Sequence, residues 1–326
     1  MRNTLLIWIP SIQKHLRFSE LSNSQYRVIL KNLADDSDIN FIYNLNAIIK
    51  ENLVDPFDTN LLTTIDRFII MTYFKIHSIG KDLQLRRKCH KCSAETSLFL
   101  DLENMLIFLS DKIDKSFKHQ LFVNDYPIGI VCDIPSIQRE YNNIIMGADI
   151  NIDTKTTEYR LHRHLTSFIS GVVISGQERL LANMSISDQY ELLRKIPHMV
   201  MEHIDFEYIR KIYNVFNDVV FFKFQCDKCS EEFELKLQAD NINEITKLIF
   251  RDNSLDMFLG EYFRAAHHSH LDGQFLDTLS YSEIKILTQF IPNQQSEEPA
   301  NTDRSADLFS TYGDEIANMA VSPSDL

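Results

Sequence analysis

The sequence predicts an α+β protein, mainly helical, and three observations carry that reading. Apolar residues recur at helical spacing along most of the chain. Gly and Pro are scarce, at eight each in 326 residues, which disfavours a turn-dense sandwich or barrel and a Gly-rich nucleotide-binding fold. Two short alternating stretches each frame a Cys-x-x-Cys, which predicts two cysteine-tipped β-hairpins among the helices.

The elements follow in order. The segment up to about Phe18 mixes apolar and polar residues and is compatible with a strand. Helical spacing covers Leu21 to Leu33 and then Ile39 to Leu53, with Ile39, Ile42, Leu45, Ile48 and Ile49 on one face. Asp55-Pro56 breaks the chain. The next helix takes Thr63 or Thr64 as its N-cap and Gly80 as its C-terminal stop. Leu83, Leu85 and Arg87 then alternate with polar neighbours into Cys89-His-Lys-Cys92, and Thr96, Leu98 and Leu100 alternate on the way out.

Further along, Tyr126 to Val131 reads as a strand and residues 147 to 158 as a polar loop. Helices are expected from about Arg160 to Ile174 and from Ser187 to Ile196. Phe206 to Phe216 suits a helix, and Val219 to Phe224 is a β-rich run into Cys226-Asp-Lys-Cys229. Aligning Cys89 with Cys226 also aligns Leu98 with Leu235 and Leu100 with Leu237, an internal repeat of helix and cysteine hairpin. Two more helices are expected, Leu255 to His267 and Ser280 to Phe290, the second opening on the capping box Ser280-Tyr-Ser-Glu283. The domain plan is a helical core over 1–250 with both cysteine hairpins, a C-terminal helical segment over 251–292, and a disordered acidic tail over 293–326.

Charge and apolar content exclude several function classes. The formal net charge is −13, which repels a phosphate backbone and disfavours nucleic acid. No apolar run reaches the length of a membrane span, and the start Leu5-Leu6-Ile7-Trp8-Ile9 is too short for an export signal. A cytoplasmic setting is expected.

Five cysteines in a chain this long make no disulfide framework, and four fall in two pairs, with Cys132 left over. A Cys-x-x-Cys turn supplies two thiolates from a hairpin tip, and two such tips complete a tetrahedral Zn²⁺ shell with no open position for a water. Cys89, Cys92, Cys226 and Cys229 are therefore the candidate metal ligands, Zn²⁺ the expected cofactor, and its role structural: a discontinuous zinc ribbon. A thioredoxin-like pair would need its first cysteine at a helix N-terminus, whereas residues 93 to 100 continue as strand. Two variants stay open at this point: each pair with its own metal shared with a second chain, or His90 in place of one cysteine.

Other constellations are weaker. His267, His268 and His270, followed by Asp272, sit at the end of an expected helix, where histidine also suits the helix dipole. His162 and His164 have no nucleophile motif beside them. Asp149, Asn151 and Asp153 match the start of a calcium loop, but Thr154 and Arg160 stand where Gly and Glu are required. No catalytic residues assemble, so no enzyme is expected and no small-molecule substrate. Lys88, Lys91, Lys223 and Lys228 form the one basic neighbourhood that a zinc-ribbon nucleic-acid-binding protein, the alternative reading, would use.

Taken in order, several segments resemble the baseplate proteins of T4-like contractile-tailed bacteriophages, a family that includes a baseplate hub subunit and a hub assembly factor. Leu61-Leu-Thr-Thr-Ile-Asp-Arg67 leads into a helix and Ser78-Ile-Gly80 just before the first cysteine pair. Leu181 to Ile196, then Pro197, lead to the second pair. Leu248-Ile-Phe250 follows the second hairpin, and Ser280-Tyr-Ser-Glu-Ile284 comes later. Members commonly carry glycine after the cysteine pair, where this chain has Ser93 and Ser230. The resemblance implies a structural or assembly protein of the baseplate hub, bound to other phage baseplate hub proteins. It would work in the host cytoplasm during assembly or stay in the virion tail.

Overall fold

The computed structural model describes residues 3–35, 38–112, 118–123, 127–148, 164–219, 221–236 and 242–289. The fold is α+β and mostly helical. The chain divides at Thr288/Gln289, and the account below concerns the first unit. The expected loop beyond residue 148, the calcium-loop residues, His162, Tyr126, Phe290 and the tail after 292 lie outside the described residues.

The N-terminal segment forms a hairpin, β1 (Thr4–Ile9) and β2 (Lys14–Ser19), paired antiparallel from Thr4↔Ser19 to Ile9↔Lys14. Its alternation is clean: Leu5, Ile7 and Ile9 are buried while Leu6 and Trp8 face out, as period-two geometry requires. Three helices follow, α1 (Asn23–Asp35), α2 (Asp38–Asn52) and α3 (Thr64–Ser78); α3 packs on β1, α2 on β2, and α1 on α2. Thr63 caps α3 with a reciprocal capping box to Asp66, which satisfies two of the free first-turn amides. Gly80, at φ +150°, ends the turn by donating to the Lys75 carbonyl at 2.9 Å.

α3 is buried along nearly its whole length, including Arg67 and Lys75. Such charges survive burial only when paired. The Arg67 guanidinium donates to both Glu140 oxygens, to Asn46 Oδ1 at 2.9 Å and to Asn243 Oδ1 at 2.7 Å. Lys75 Nζ meets Asp252 at 2.6 Å. One arginine thus ties α3 to α2, to α5 (Ile137–Ala148) and to α10 (Ile242–Ile249).

After α3 come the first cysteine hairpin, β3 (Asp82–Lys88) and β4 (Glu95–Asp101), and then α4 (Leu102–Lys112). A four-stranded antiparallel sheet of order β5-β6-β7-β8 follows: His119–Leu121, Gly129–Cys132, Ile169–Ile174 and Gln177–Leu180. Here the expected helix to Ile174 is corrected. Only residues 164–167 (α6) are helical in the described part, and Ile169–Ile174 is a strand. Four of its six residues are β-branched, and Gly171 lies so close to the next strand that a Cβ would stand 2.7 Å from the Arg179 carbonyl. Both favour a strand and a close backbone approach.

α7 (Ile186–Leu193) begins one residue before the expected Ser187 and ends three before Ile196, capped by Ser185 with Asp188 at N3. α8 (His198–Ile204) runs through a π-helical turn, Asp205–Ile209, into α9 (Arg210–Val219). The second cysteine hairpin, β9 (Phe221–Gln225) and β10 (Glu232–Lys236), leads to α10. α11 (Leu255–Ser269), α12 (Gly273–Thr278) and α13 (Tyr281–Gln289) close the described chain. Ser280 and Glu283 form the expected capping box of α13. α11 and α12 pack on α1, where Asn23 Nδ2 donates to the Leu276 carbonyl at 2.9 Å and Tyr26 lies against Phe250, Phe258 and Tyr281.

The internal repeat is visible in the packing. Each cysteine hairpin sits between two helices, α3 and α4 for the first, α9 and α10 for the second. The partners cross over: α3 packs on α10, and α4 packs on α9.

Candidate metal centre

Both hairpins are built the same way, 137 residues apart. In the first, β3 and β4 pair from Asp82↔Asp101 to Lys88↔Glu95, and the tip closes when the Cys89 amide donates to the Ala94 carbonyl at 2.8 Å and the Ser93 amide to the Cys89 carbonyl at 2.9 Å. In the second, β9 and β10 pair from Phe221↔Lys236 to Gln225↔Glu232. There the Cys226 amide donates to Glu231 at 2.9 Å and the Ser230 amide to Cys226 at 2.8 Å. Ser93 and Ser230 have φ of 56° and 53°. This left-handed residue after each pair turns the chain back into the outgoing strand.

The two tips meet. Cys89 Sγ lies 3.7 Å from Cys229 Sγ, and Cys92 Sγ lies 3.6 Å from Cys226 Sγ. All four sulfurs are within 4.8 Å of one another. Disulfide sulfurs would be about 2 Å apart, and all five cysteines are free thiols. Four thiolates around a tetrahedral metal at about 2.3 Å would stand about 3.8 Å apart, so the two cross-hairpin separations suit such a shell. The donor set is complete at four, and the cluster can hold a metal ion. The pairs are brought together within one chain, and His90 is not part of the group. Its ring is exposed, with Nε2 3.8 Å from Glu231.

The surroundings stabilise negative charge on sulfur. The Cys226 thiol is pushed down to about 6, first by the backbone amides of Lys228 and Cys229, with help from the Thr96 hydroxyl and Cys92. Thr96 is buried and donates to Cys226 Sγ at 3.7 Å. Its neighbour Cys229 is pushed up to about 12: the Glu231 amide pulls its pKa down, but burial and the adjoining sulfurs outweigh that. The physical cause is that four crowded thiols cannot all ionise without a cation among them. Lys91 bridges the tips, its Nζ 2.6 Å from Glu231.

The remaining sequence candidates do not gather. Among the described residues the four cysteines form the one group of three or more metal-ligating side chains, so His267, His268, His270 and Asp272 build no second cluster. His164 stacks on Tyr213, its ring centroid 5.8 Å away. Cys132 is fully buried in β6, and burial pushes its thiol up to about 12. Of the basic neighbourhood, Lys91 is engaged by Glu231, Lys88 and Lys228 are exposed, and the Lys223 side chain lies outside the described residues. Thr96 was not picked out from the sequence as part of the site. Its position seven residues after Cys89 has Phe233 as its counterpart in the second copy, so the repeat gave no hint of it.

A family model described as T4 bacteriophage base plate protein matches residues 1–245 of the 326. The chain belongs to that family. The match runs through both cysteine hairpins of this baseplate protein and ends within α10. No curated relative and no solved structure matches it. Family membership gives the baseplate protein a structural part in the tail baseplate and other phage baseplate proteins as partners. No helix among its described residues is long and apolar enough to cross a membrane.

Proposed function

We propose that this baseplate protein is a structural or assembly component of the baseplate hub, held together by one structural Zn²⁺ on Cys89, Cys92, Cys226 and Cys229. The observation that carries the metal half is the convergence of four thiols from the two hairpins, the touching pairs 134 and 140 residues apart in sequence, with all four sulfurs within 4.8 Å of one another. When bound, the metal supplies a cross-link that closes a long loop and fixes one helix–hairpin–helix unit against the other. The four cysteines fill the shell, so no position is left for a substrate or a water nucleophile, and the protein works without turnover.

The chain's own residues do the rest. Hairpin amides and Thr96 hold the sulfurs in place, Lys91 and Glu231 latch the tips, and Arg67 locks α3 to α5 and α10. Exposed apolar side chains on the helices, Phe206 and Met257 among them, offer contact points for other hub proteins. The domain plan is proposed in the same terms: residues 1–250 as the zinc-stapled core, 251–292 as a C-terminal helical segment, and 293–326 as an acidic tail.

The test is genetic and biochemical. A phage lacking this chain should accumulate no complete hubs, and supplying Cys226→Ser should fail to restore them while the wild type does. Normal hub assembly in its absence would overturn the reading.

A further inference from the structure

We propose that the outer edge of β1 is a docking site for an extended segment of a different protein, which adds to the β1/β2 hairpin as a third strand. This deepens the partner-binding part of the proposed function and is independent of the metal.

The hydrogen-bond pattern fixes which groups are free. The Glu20 amide donates to the Asn3 carbonyl at 3.1 Å, continuing the β1/β2 register. Hydrogen-bonded pairs alternate with non-bonded ones along an antiparallel ladder. Leu5/Phe18, Ile7/Leu16 and Ile9/Lys14 are therefore bonded pairs, while Thr4, Leu6 and Trp8 fall between them and aim their amides and carbonyls away from β2. The same parity is seen on the other side of the hairpin. Arg17, opposite Leu6, turns its backbone outward, accepting from the Val54 amide at 2.9 Å and donating to Asp55 at 2.7 Å. β2 thus has its outer edge engaged at Arg17. Among the described residues no strand pairs with the outer edge of β1.

The side chains at that edge are the wrong kind for a protected one. Leu6 is 63% exposed and Trp8 38%, both on the solvent face. Proteins ordinarily blunt an open edge with charge, as β8 does with Glu178 and Arg179. An edge with alternating donors and acceptors at strand spacing, and an apolar strip on one face, is complementary to an extended peptide that carries apolar residues at every second position.

A second copy of this chain is a poor occupant. Two apolar side chains per copy fall far short of the roughly 1,000 Å² that a specific interface buries, and each copy carries a net charge of −13, which opposes self-association. The same charge favours a segment that is neutral or basic.

Trp8 is the only tryptophan, so its fluorescence reports the edge directly. The experiment titrates the full chain with a synthetic peptide of alternating Thr and Val flanked by lysines. The expected result is a saturable blue shift, with binding at least about tenfold weaker for Leu6→Pro, which removes one outward amide but no bond to β2. A peptide N-methylated at alternate amides should be weakened likewise; it decides the matter if Leu6→Pro does not fold. No saturable shift at about millimolar peptide, or undiminished binding of the methylated peptide, overturns the proposal. So does a concentration-dependent dimer of the chain alone that Leu6→Pro abolishes. None of these failures touches the hub reading, which is judged by hub assembly in infected cells.

Discussion

Ser93 and Ser230 occupy the same place in the two cysteine hairpins. Each donates its amide to the first cysteine of its pair, and each sits in the left-handed region, at φ 56° and 53°. A side chain there costs about 1–2 kcal/mol that glycine does not. Ser93→Gly and Ser230→Gly should therefore each stabilise the fold by about 0.5–1 kcal/mol, reduced by glycine's greater freedom in the unfolded chain. Urea midpoints measure it, and a lower midpoint for both variants would mean the turn is not strained.

Thr96 singles out Cys226 among the four sulfurs. Its hydroxyl is the one side-chain donor other than cysteine among the groups that lower the Cys226 pKa. Outer partners of metal ligands typically change affinity by about 10–100-fold. Thr96→Val should keep the fold and lose metal to a competing chelator at a concentration at least about tenfold lower than the wild type does. Unchanged competition would show that the backbone amides alone hold the thiolate.

Arg67 is 1% exposed and its partner Glu140 12%. Removing one member of such a pair strands the other charge, at a cost of about 3–5 kcal/mol. Arg67→Met should lower stability by that amount, whereas Glu231→Gln, which removes an exposed latch to Lys91, should have a small, salt-dependent effect. Comparable losses for the two would contradict the assignment of Arg67 as the internal tie.

Much of this was legible in the sequence because the signals are local. The Cys-x-x-Cys pairs, the N-cap at Thr63 or Thr64, the capping box at Ser280, and the apolar faces of α2, α3 and α11 each lie within one turn or one helix. Ile169–Ile174 was misread because a short apolar run has no period to separate helix from strand; Gly171 and the β-branched neighbours were the usable signal. Neither Arg67 with Glu140, 73 residues apart, nor the crossing of α3 onto α10 leaves any local trace. The meeting of the two hairpins was inferred from chemistry, since one zinc needs four ligands and each tip has two.

Several phenols make stability pH-dependent on the alkaline side. Burial is the main cause raising the pKa of Tyr26, Tyr262 and Tyr281 above the ordinary 10.0. The folded chain keeps protons that the unfolded chain gives up, so this stabilisation is complete below pH 10 and lost as pH rises beyond it. Lys75, whose pKa burial lowers from 10.5, works in the opposite sense but is a single group. Phenolate absorbance should show these tyrosines ionising only together with unfolding; independent ionisation in the folded state would contradict their burial.

The most direct test of the central claim is metal content with thiol titration on the purified full chain, before and after chelation. One zinc per chain, with four thiols becoming reactive as it is removed and the fold loosening with them, is the result expected of a structural four-cysteine centre. A folded chain with no metal and four freely reactive or disulfide-bonded cysteines would contradict it.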